Sequence, residues 1–163
     1  MKIREIVAAD LQAVWELNQS MVPAVGSVDI ERMASLIDLS EYALVVESSE
    51  AIDGFSLVFA PGSSYDSVNY LWFATNYPTA HYLDRVAFRQ SAQGQGFGSE
   101  LYRDIEQRLV QSGVAELGLE VNVEPPNVQS LGFHKRHGYV EVGQQRTPYE
   151  TTVSMQLKKL GAD

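Results

Sequence analysis

Six consecutive residues, Gln93–Gly94–Gln95–Gly96–Phe97–Gly98, carry the densest chemical signal in the sequence. They lie between a β-rich run, His81–Phe88, and a helical pattern over Ser99–Val110 in which Leu101, Ile105, Leu109 and Val110 share the apolar side. Glycines let a backbone approach a ligand, and a helix N-terminus offers unpaired N–H groups at the positive end of its dipole, so such a turn suits a pyrophosphate. Three readings meet here. A dinucleotide fingerprint wants a third glycine where Ser99 stands, within a repeated βαβ array. A triphosphate loop needs Lys followed by Ser or Thr, which is absent. A glycine-lined connection that holds no ligand is the plain alternative.

Other residue types narrow the chemistry. There is no cysteine, which excludes disulfides, thiolate zinc sites, iron–sulfur clusters and any acyl group parked on a protein sulfur. His134 and His137 sit three apart on one helical face and His81 is distant, without the carboxylate and companion spacing of a metal site, so no metal is expected. The 163 residues, 45% hydrophobic, suffice for a single domain over 1–163 with its own core. No uncharged apolar run approaches the roughly 20 residues of a membrane span, so a cytoplasmic protein without membrane association is expected. The net charge of −9 makes nucleic acid an unsuitable partner. It is unevenly placed: residues 1–80 hold 11 acids and 3 bases, residues 81–163 hold 10 acids and 9 bases. Only the second half tolerates a polyanion.

The elements that must position these residues follow from periodicity. Lys2–Val7 alternates as a strand, and a helical stripe of Leu11, Val14 and Trp15 follows, interrupted by Asn18. Val28–Asp29 opens a second helix with Ile30, Met33, Leu36 and Ile37. Tyr42–Glu47 and Phe55–Ala60 read as a hairpin joined through Ser48–Gly54, and Pro61–Ser64 as a loop. The aromatic cluster Tyr65, Tyr70, Trp72, Phe73 and Tyr77 either folds back as core or lines a pocket. Glu116–Val123 is the next strand, Asn127 caps a short helix ending at His137, Gly138–Gly143 leads into another strand and Thr151–Leu157 is the last.

Gln93, Gly96 and Gly98 after a fourth strand resemble the Gln/Arg-x-x-Gly-x-Gly/Ala signature of the GNAT superfamily of acetyl-CoA-dependent N-acetyltransferases. The element order matches over essentially the whole chain. Glu120–Val121–Asn122, Pro125–Pro126–Asn127, Phe133–His134, Gly138–Tyr139, Asn69–Tyr70–x–Trp72–Phe73 and Asp84–Arg85–Val86 look like an uncharacterised predicted-acetyltransferase group within it. The resemblance implies an α+β fold, an α/β/α sandwich whose mixed sheet of about seven strands splits between strands 4 and 5. It also implies acetyl-CoA as cofactor, direct acetyl transfer to a small-molecule or peptide amine in a ternary complex, and a homodimer. An acetyl-CoA-binding sensor or assembly module without turnover is the alternative.

Carried onto this chain, the resemblance places Val86, Ala87 and Phe88 against the pantetheine, with the Phe88 N–H facing the thioester oxygen. Gln93, Gly94, Gln95, Gly96, Phe97, Gly98 and Ser99 become the pyrophosphate cradle, with Arg85, Arg89, Lys135 or Arg136 as nearby cations. Asn127 would bind the cofactor arm, and Phe133 would lie beside it. His134 occupies the place of a family tyrosine thought to protonate the coenzyme thiolate, and an imidazole titrating near neutrality can supply a proton; Tyr139 is the fallback donor. For the base, Glu120 and Asp84 are the strand carboxylates nearest the split, and alternation sets Glu120 with Asn122 opposite Leu119 and Val121. The acceptor side holds Glu31, Asp38 and Asp66 with Tyr70, Trp72, Phe73 and Tyr82, and Asn122 beside Glu120. Acid with aromatic walls suits a cationic amine.

Overall fold

Side-chain caps and apolar periodicity decide where the helices of this chain begin. In a computed structural model, which describes residues 1–49 and 51–161, β1 (Lys2–Glu5) leads into α1 (Leu11–Ser20). Asp29 Oδ1 then accepts the Arg32 N–H at 2.7 Å and opens α2 (Ile30–Leu39). A hairpin of β2 (Tyr42–Ser48) and β3 (Ala51–Phe59) precedes α3 (Val68–Asn76), which is capped by Ser67. β4 (His81–Phe88), α4 (Phe97–Gln111) and β5 (Glu116–Glu124) follow. Asn127 Oδ1 accepts the Ser130 N–H at 3.0 Å to start α5 (Val128–Arg136), and β6 (Val140–Arg146) with β7 (Thr152–Lys159) closes the chain.

The seven strands form one sheet in the order β1-β2-β3-β4-β5-β7-β6. Every pairing is antiparallel except β4 with β5, which is parallel. Strand alternation divides the core into two layers. Phe55, Leu57, Phe59 and Tyr82 face α1, α2 and α3, packing with Val14, Met33, Leu36 and Phe73. Leu44, Val46, Val58, Leu117 and Leu119 face Leu101, Ile105 and Leu109 of α4 and the apolar side of α5. This is the mixed-sheet α+β sandwich that the sequence implied.

Three local readings change. The aromatic cluster contains a helix, α3, whose Tyr70 and Phe73 are buried in the first core layer. Its sequence, Val68–Asn76, is apolar on more than one face and carries no clean helical stripe, so periodicity did not reveal it. β3 begins at Ala51 rather than Phe55, since Ile52 and Gly54 continue the ladder opposite Glu47 and Val46 through a bulge. Val110, placed on the apolar side of α4, is 43% exposed. Asn18, which interrupts the stripe of α1, is fully buried because its amide is used: Nδ2 donates to the Gly26 carbonyl at 3.0 Å, and Oδ1 accepts from Arg85 at 3.0 Å.

α3 can lie close to the sheet because Gly118 lacks a side chain. A Cβ there would come within 2.5 Å of the Phe73 ring. Gly118→Ala is therefore expected to cost about 1–3 kcal/mol by overpacking, seen as a lower melting temperature and as weaker protection of α3 in hydrogen exchange.

Candidate active site

β4 and β5 hold each other only at their beginnings. The register pairs His81 with Leu117 and Tyr82 with Gly118 and then stops. Beyond that point β4 stays on β3 as far as Phe88, and β5 stays on β7 as far as Glu124, so a V opens between them. The Arg89 N–H donates to the Asp53 carbonyl at 2.9 Å, on the β3 side. By alternation the backbone groups of Val86 and Phe88 turn to the other edge, toward the opening.

At the apex of the V two carboxylates meet two phenols. Tyr82 Oη donates to Glu120 Oε2 at 2.5 Å, and Tyr65 Oη donates to Asp84 Oδ1 at 2.8 Å. Arg85 Nε donates to Asp84 Oδ2 at 3.1 Å. Burial pushes the Glu120 carboxyl up to about 8, and the neighbouring Asp84 charge adds to the rise. Burial also raises Asp84, opposed by the charge of Arg85 and by its donors. The two groups thus differ in support: Asp84 has a guanidinium and a phenol, whereas Glu120 rests on neutral donors. Tyr65 was not singled out as a site residue in the sequence; its hydroxyl reaches Asp84 only because the loop before α3 folds back over β4. Its one early signal was membership of an aromatic cluster denser than a surface segment carries.

At the open end of the V, β4 passes into the glycine turn. Gly94 and Gly96 have φ of 75° and 81°, the left-handed region that glycine enters without a steric penalty. Gly96 is the N-cap of α4 and supplies no side-chain cap. The N–H groups of Gly94, Gln95, Gly96, Phe97, Gly98 and Ser99 meet no protein acceptor among the described residues. Gln93 braces the turn by donating to the Phe88 carbonyl at 3.2 Å, and Gln95 donates to that of Ser91 at 2.8 Å. Unpartnered donors at a helix N-terminus, on glycines with open space above them, fit the diphosphate of a coenzyme.

A model described as the acetyltransferase (GNAT) family matches residues 14–139. This chain belongs to the GNAT acetyltransferase family. Comparison with curated protein sequences finds no match. Among solved structures, Ard1 from Thermoplasma volcanium superposes with a TM-score of 0.80 at 15% identity, covering 99% of this chain and 98% of that one. The ribosomal-protein-S18-alanine N-acetyltransferase from Escherichia coli gives 0.75 at 17% identity, over 99% and 95%. An aminoglycoside 6′-N-acetyltransferase, solved in complex with coenzyme A, gives 0.77 at 13% identity, over 100% and 99%. At such identities the likeness is one of fold.

Within this GNAT frame the remaining candidates separate. Phe133 is half-buried, with its ring 3.7 Å from the position a Cβ on Gly98 would take, so it sits beside the cradle. Asn127 is exposed, and its Oδ1 is committed to the α5 cap. Arg85 is not a phosphate cation: it binds Asp84, and its Nη1 donates to the Gly26 carbonyl at 2.7 Å, on the α1 side of the sheet. Arg89 is paired with the buried Asp53. Lys135 and Arg136 are exposed, and Arg136 lines a cleft of about 400 Å³ with Arg103, Ser99 and His137 beside the first turn of α4. Tyr70 and Phe73 are core rather than pocket wall; Trp72 is half-buried and Asn122 lies on β5 two residues beyond Glu120.

His134 is corrected more deeply. It is 6% exposed; Nδ1 lies 2.7 Å from the Ser130 carbonyl, which only accepts, and Nε2 lies 2.7 Å from Tyr102 Oη. Burial holds its pKa below the ordinary imidazole value, so the ring is neutral and its single proton is committed to Ser130. No proton remains to donate to a thiolate. Tyr139, the fallback, is buried and donates to Glu106 at 2.9 Å. Tyr102, the partner of His134, went unremarked in the sequence because a tyrosine among the apolar positions of α4 reads as packing.

Two tests follow from this arrangement. His134→Phe leaves the buried Tyr102 hydroxyl unpaired and is expected to cost about 1–3 kcal/mol in urea unfolding. Glu120 is expected to make stability pH-dependent. Its proton is held in the folded chain up to about 8 but leaves the unfolded chain near the ordinary 4.5, so the stability it contributes is full below about 4.5 and is lost as pH rises through 8. Glu120→Gln cannot ionise, and its unfolding free energy relative to the parent is expected to improve by more than about 1 kcal/mol between pH 5 and pH 9.

Proposed function

We propose that this chain transfers the acetyl group of acetyl-CoA to an amine that enters as an ammonium, with Glu120 as the general base. The observation that carries this reading is the parting of β4 and β5 after Tyr82 and Gly118, which puts a carboxyl that titrates near 8 at the apex of an opening whose far end is a cradle of unpartnered N–H groups.

Acetyl-CoA supplies an activated acetyl thioester. The N–H groups from Gly94 to Ser99 receive its diphosphate, with Arg136 and Arg103 as cations for a further phosphate. Phe133 and the open edge of β4 at Val86, Ala87 and Phe88 border its arm, and the backbone N–H of Phe88 is the donor for the carbonyl oxygen, where negative charge develops. Asn127 keeps its amide nitrogen available to the same arm.

On the acceptor side an amine is a nucleophile only after it loses a proton. Two carboxylates whose environments push their titrations apart divide the work. Asp84, raised by burial, has the Arg85 guanidinium and the Tyr65 hydroxyl to favour its charged form, and in that form it attracts the ammonium. Glu120, with neutral donors only, takes the first proton, directly or through one water; as the nitrogen bonds the acetyl carbon and the carbon–sulfur bond breaks, the thiolate would take the proton that the new amide nitrogen sheds, directly or through water. No cysteine is present to hold an acyl group, which favours direct attack in a ternary complex. The exposed acids Glu31, Asp38 and Asp66 add attraction for a cationic small-molecule or peptide amine.

A thiol-release assay on the purified full chain with acetyl-CoA and a panel of cationic, neutral and anionic amines tests this reading. Release is expected with cationic amines, with kcat/KM rising through a limb near pH 8. Glu120→Gln is expected to lower the rate by about 100-fold or more and leave coenzyme affinity unchanged. Coenzyme binding without thiol release across the panel would favour a sensor or assembly module and overturn the enzyme reading.

A further inference from the structure

Tyr82 is more constrained than a core tyrosine needs to be. It is fully buried, and its ring packs against those of Tyr70 and Phe73, each with a centroid 5.7 Å away. Phe55, Phe59 and Phe73 fill neighbouring positions of the same layer without a hydroxyl. A buried hydroxyl is tolerated where it is bonded, and this one is bonded to a single kind of group. It donates to Glu120 at 2.5 Å.

Its place in the sheet is as specific as its bond. Tyr82 occupies the last paired position of β4, opposite Gly118, so its phenol projects where the strands cease to hold each other. Among the described residues it makes the one side-chain hydrogen bond between β4 and β5. Gly118, having no side chain, leaves room over the sheet face for the Phe73 ring, against which Tyr82 packs.

We infer that Tyr82 is the positioning residue for the base: its hydroxyl, anchored by the ring packing beneath α3, fixes the Glu120 carboxyl at the apex of the V and sets how readily that carboxyl keeps a proton. The inference rests on the reading of Glu120 as the base. Asp84 has Tyr65 and Arg85 of its own, so Tyr82 is left to serve Glu120. The other groups that face Glu120 are Asp84 on β4 and Asn69 on α3. Asp84 opposes ionisation and Asn69 assists it as Tyr82 does; Tyr102 of α4 lies across the sheet in the other core layer, a phenol held protonated by burial. A donor to the carboxylate favours the charged form, so deleting the hydroxyl moves the titration of Glu120 upward.

The test follows Glu120 directly and needs no acceptor. In protein labelled with 13Cδ-glutamate, the signal lost in Glu120→Gln identifies Glu120, and its chemical shift is followed with pH. The parent is expected to titrate near 8. Tyr82→Phe, which keeps the ring packing, is expected to titrate about one pH unit higher. 3-Fluorotyrosine at position 82, a stronger donor of nearly the same shape, is expected to titrate lower, and it serves if the phenylalanine variant does not fold. In thiol release, the rising limb near pH 8 is expected to move upward with the Tyr82→Phe titration while the plateau rate stays within several-fold of the parent. A Glu120 midpoint that is unmoved in folded variants, or a rate lowered equally at every pH, would overturn the positioning role. Full activity in Glu120→Gln would instead overturn the base reading, and leave any Tyr82-dependent shift standing as a purely electrostatic coupling.

Discussion

Parallel strands β4 and β5 share only two residue pairs before they diverge, and the rest of the molecule is arranged around that short contact. A fully zipped pair would bury the edges of both strands and leave no place for a ligand. Here β3 and β7 hold the two strands from their outer sides, so the inner edges can remain open without loss of the sheet. Helices on both faces supply what the missing ladder does not: α1, α2 and α3 pack over one layer of the core, α4 and α5 over the other.

The same divergence separates two kinds of electrostatics. At the open end lie backbone donors with no protein partner among the described residues, presented by glycines in the left-handed region and by the start of α4. At the apex lie two carboxyls, both raised by burial but given different donors. The unpartnered N–H groups and the carboxyls share one opening and stay apart, because five residues of β4 stand between Tyr82 and Phe88. The charge asymmetry of the sequence has the same sense: the near-neutral half contributes the cradle, and much of the acid lies in the first 80 residues.

What was legible and what was not divide along a physical line. The glycine turn was readable because glycine spacing between a strand and a helix is a local property, as were the caps at Asp29 and Asn127. Glu120 and Asn122 on the face opposite Leu119 and Val121 followed from strand alternation alone. The helix over Val68–Asn76 was hidden because only Tyr70 and Phe73 are buried, while apolar Leu71 faces solvent, so no single apolar stripe marks it. Asn18 looked like a defect in an apolar stripe; its partners, Gly26 and Arg85, are 8 and 67 residues away. His134 matched a family position, but its proton is spoken for by Ser130 and its other nitrogen by Tyr102, 32 residues distant.

The sequence by itself determined the family, the order of the strands, the glycine turn before α4 and the absence of a cysteine nucleophile, since each of these is written in neighbouring residues or in composition. Only the tertiary structure decided which titratable groups face one another. Tyr82 with Glu120, Tyr65 with Asp84 and Tyr102 with His134 are pairs formed across elements, at separations of 38, 19 and 32 residues. Proton affinity depends on burial and on the few donors within about 3 Å, and neither quantity exists until the chain has folded.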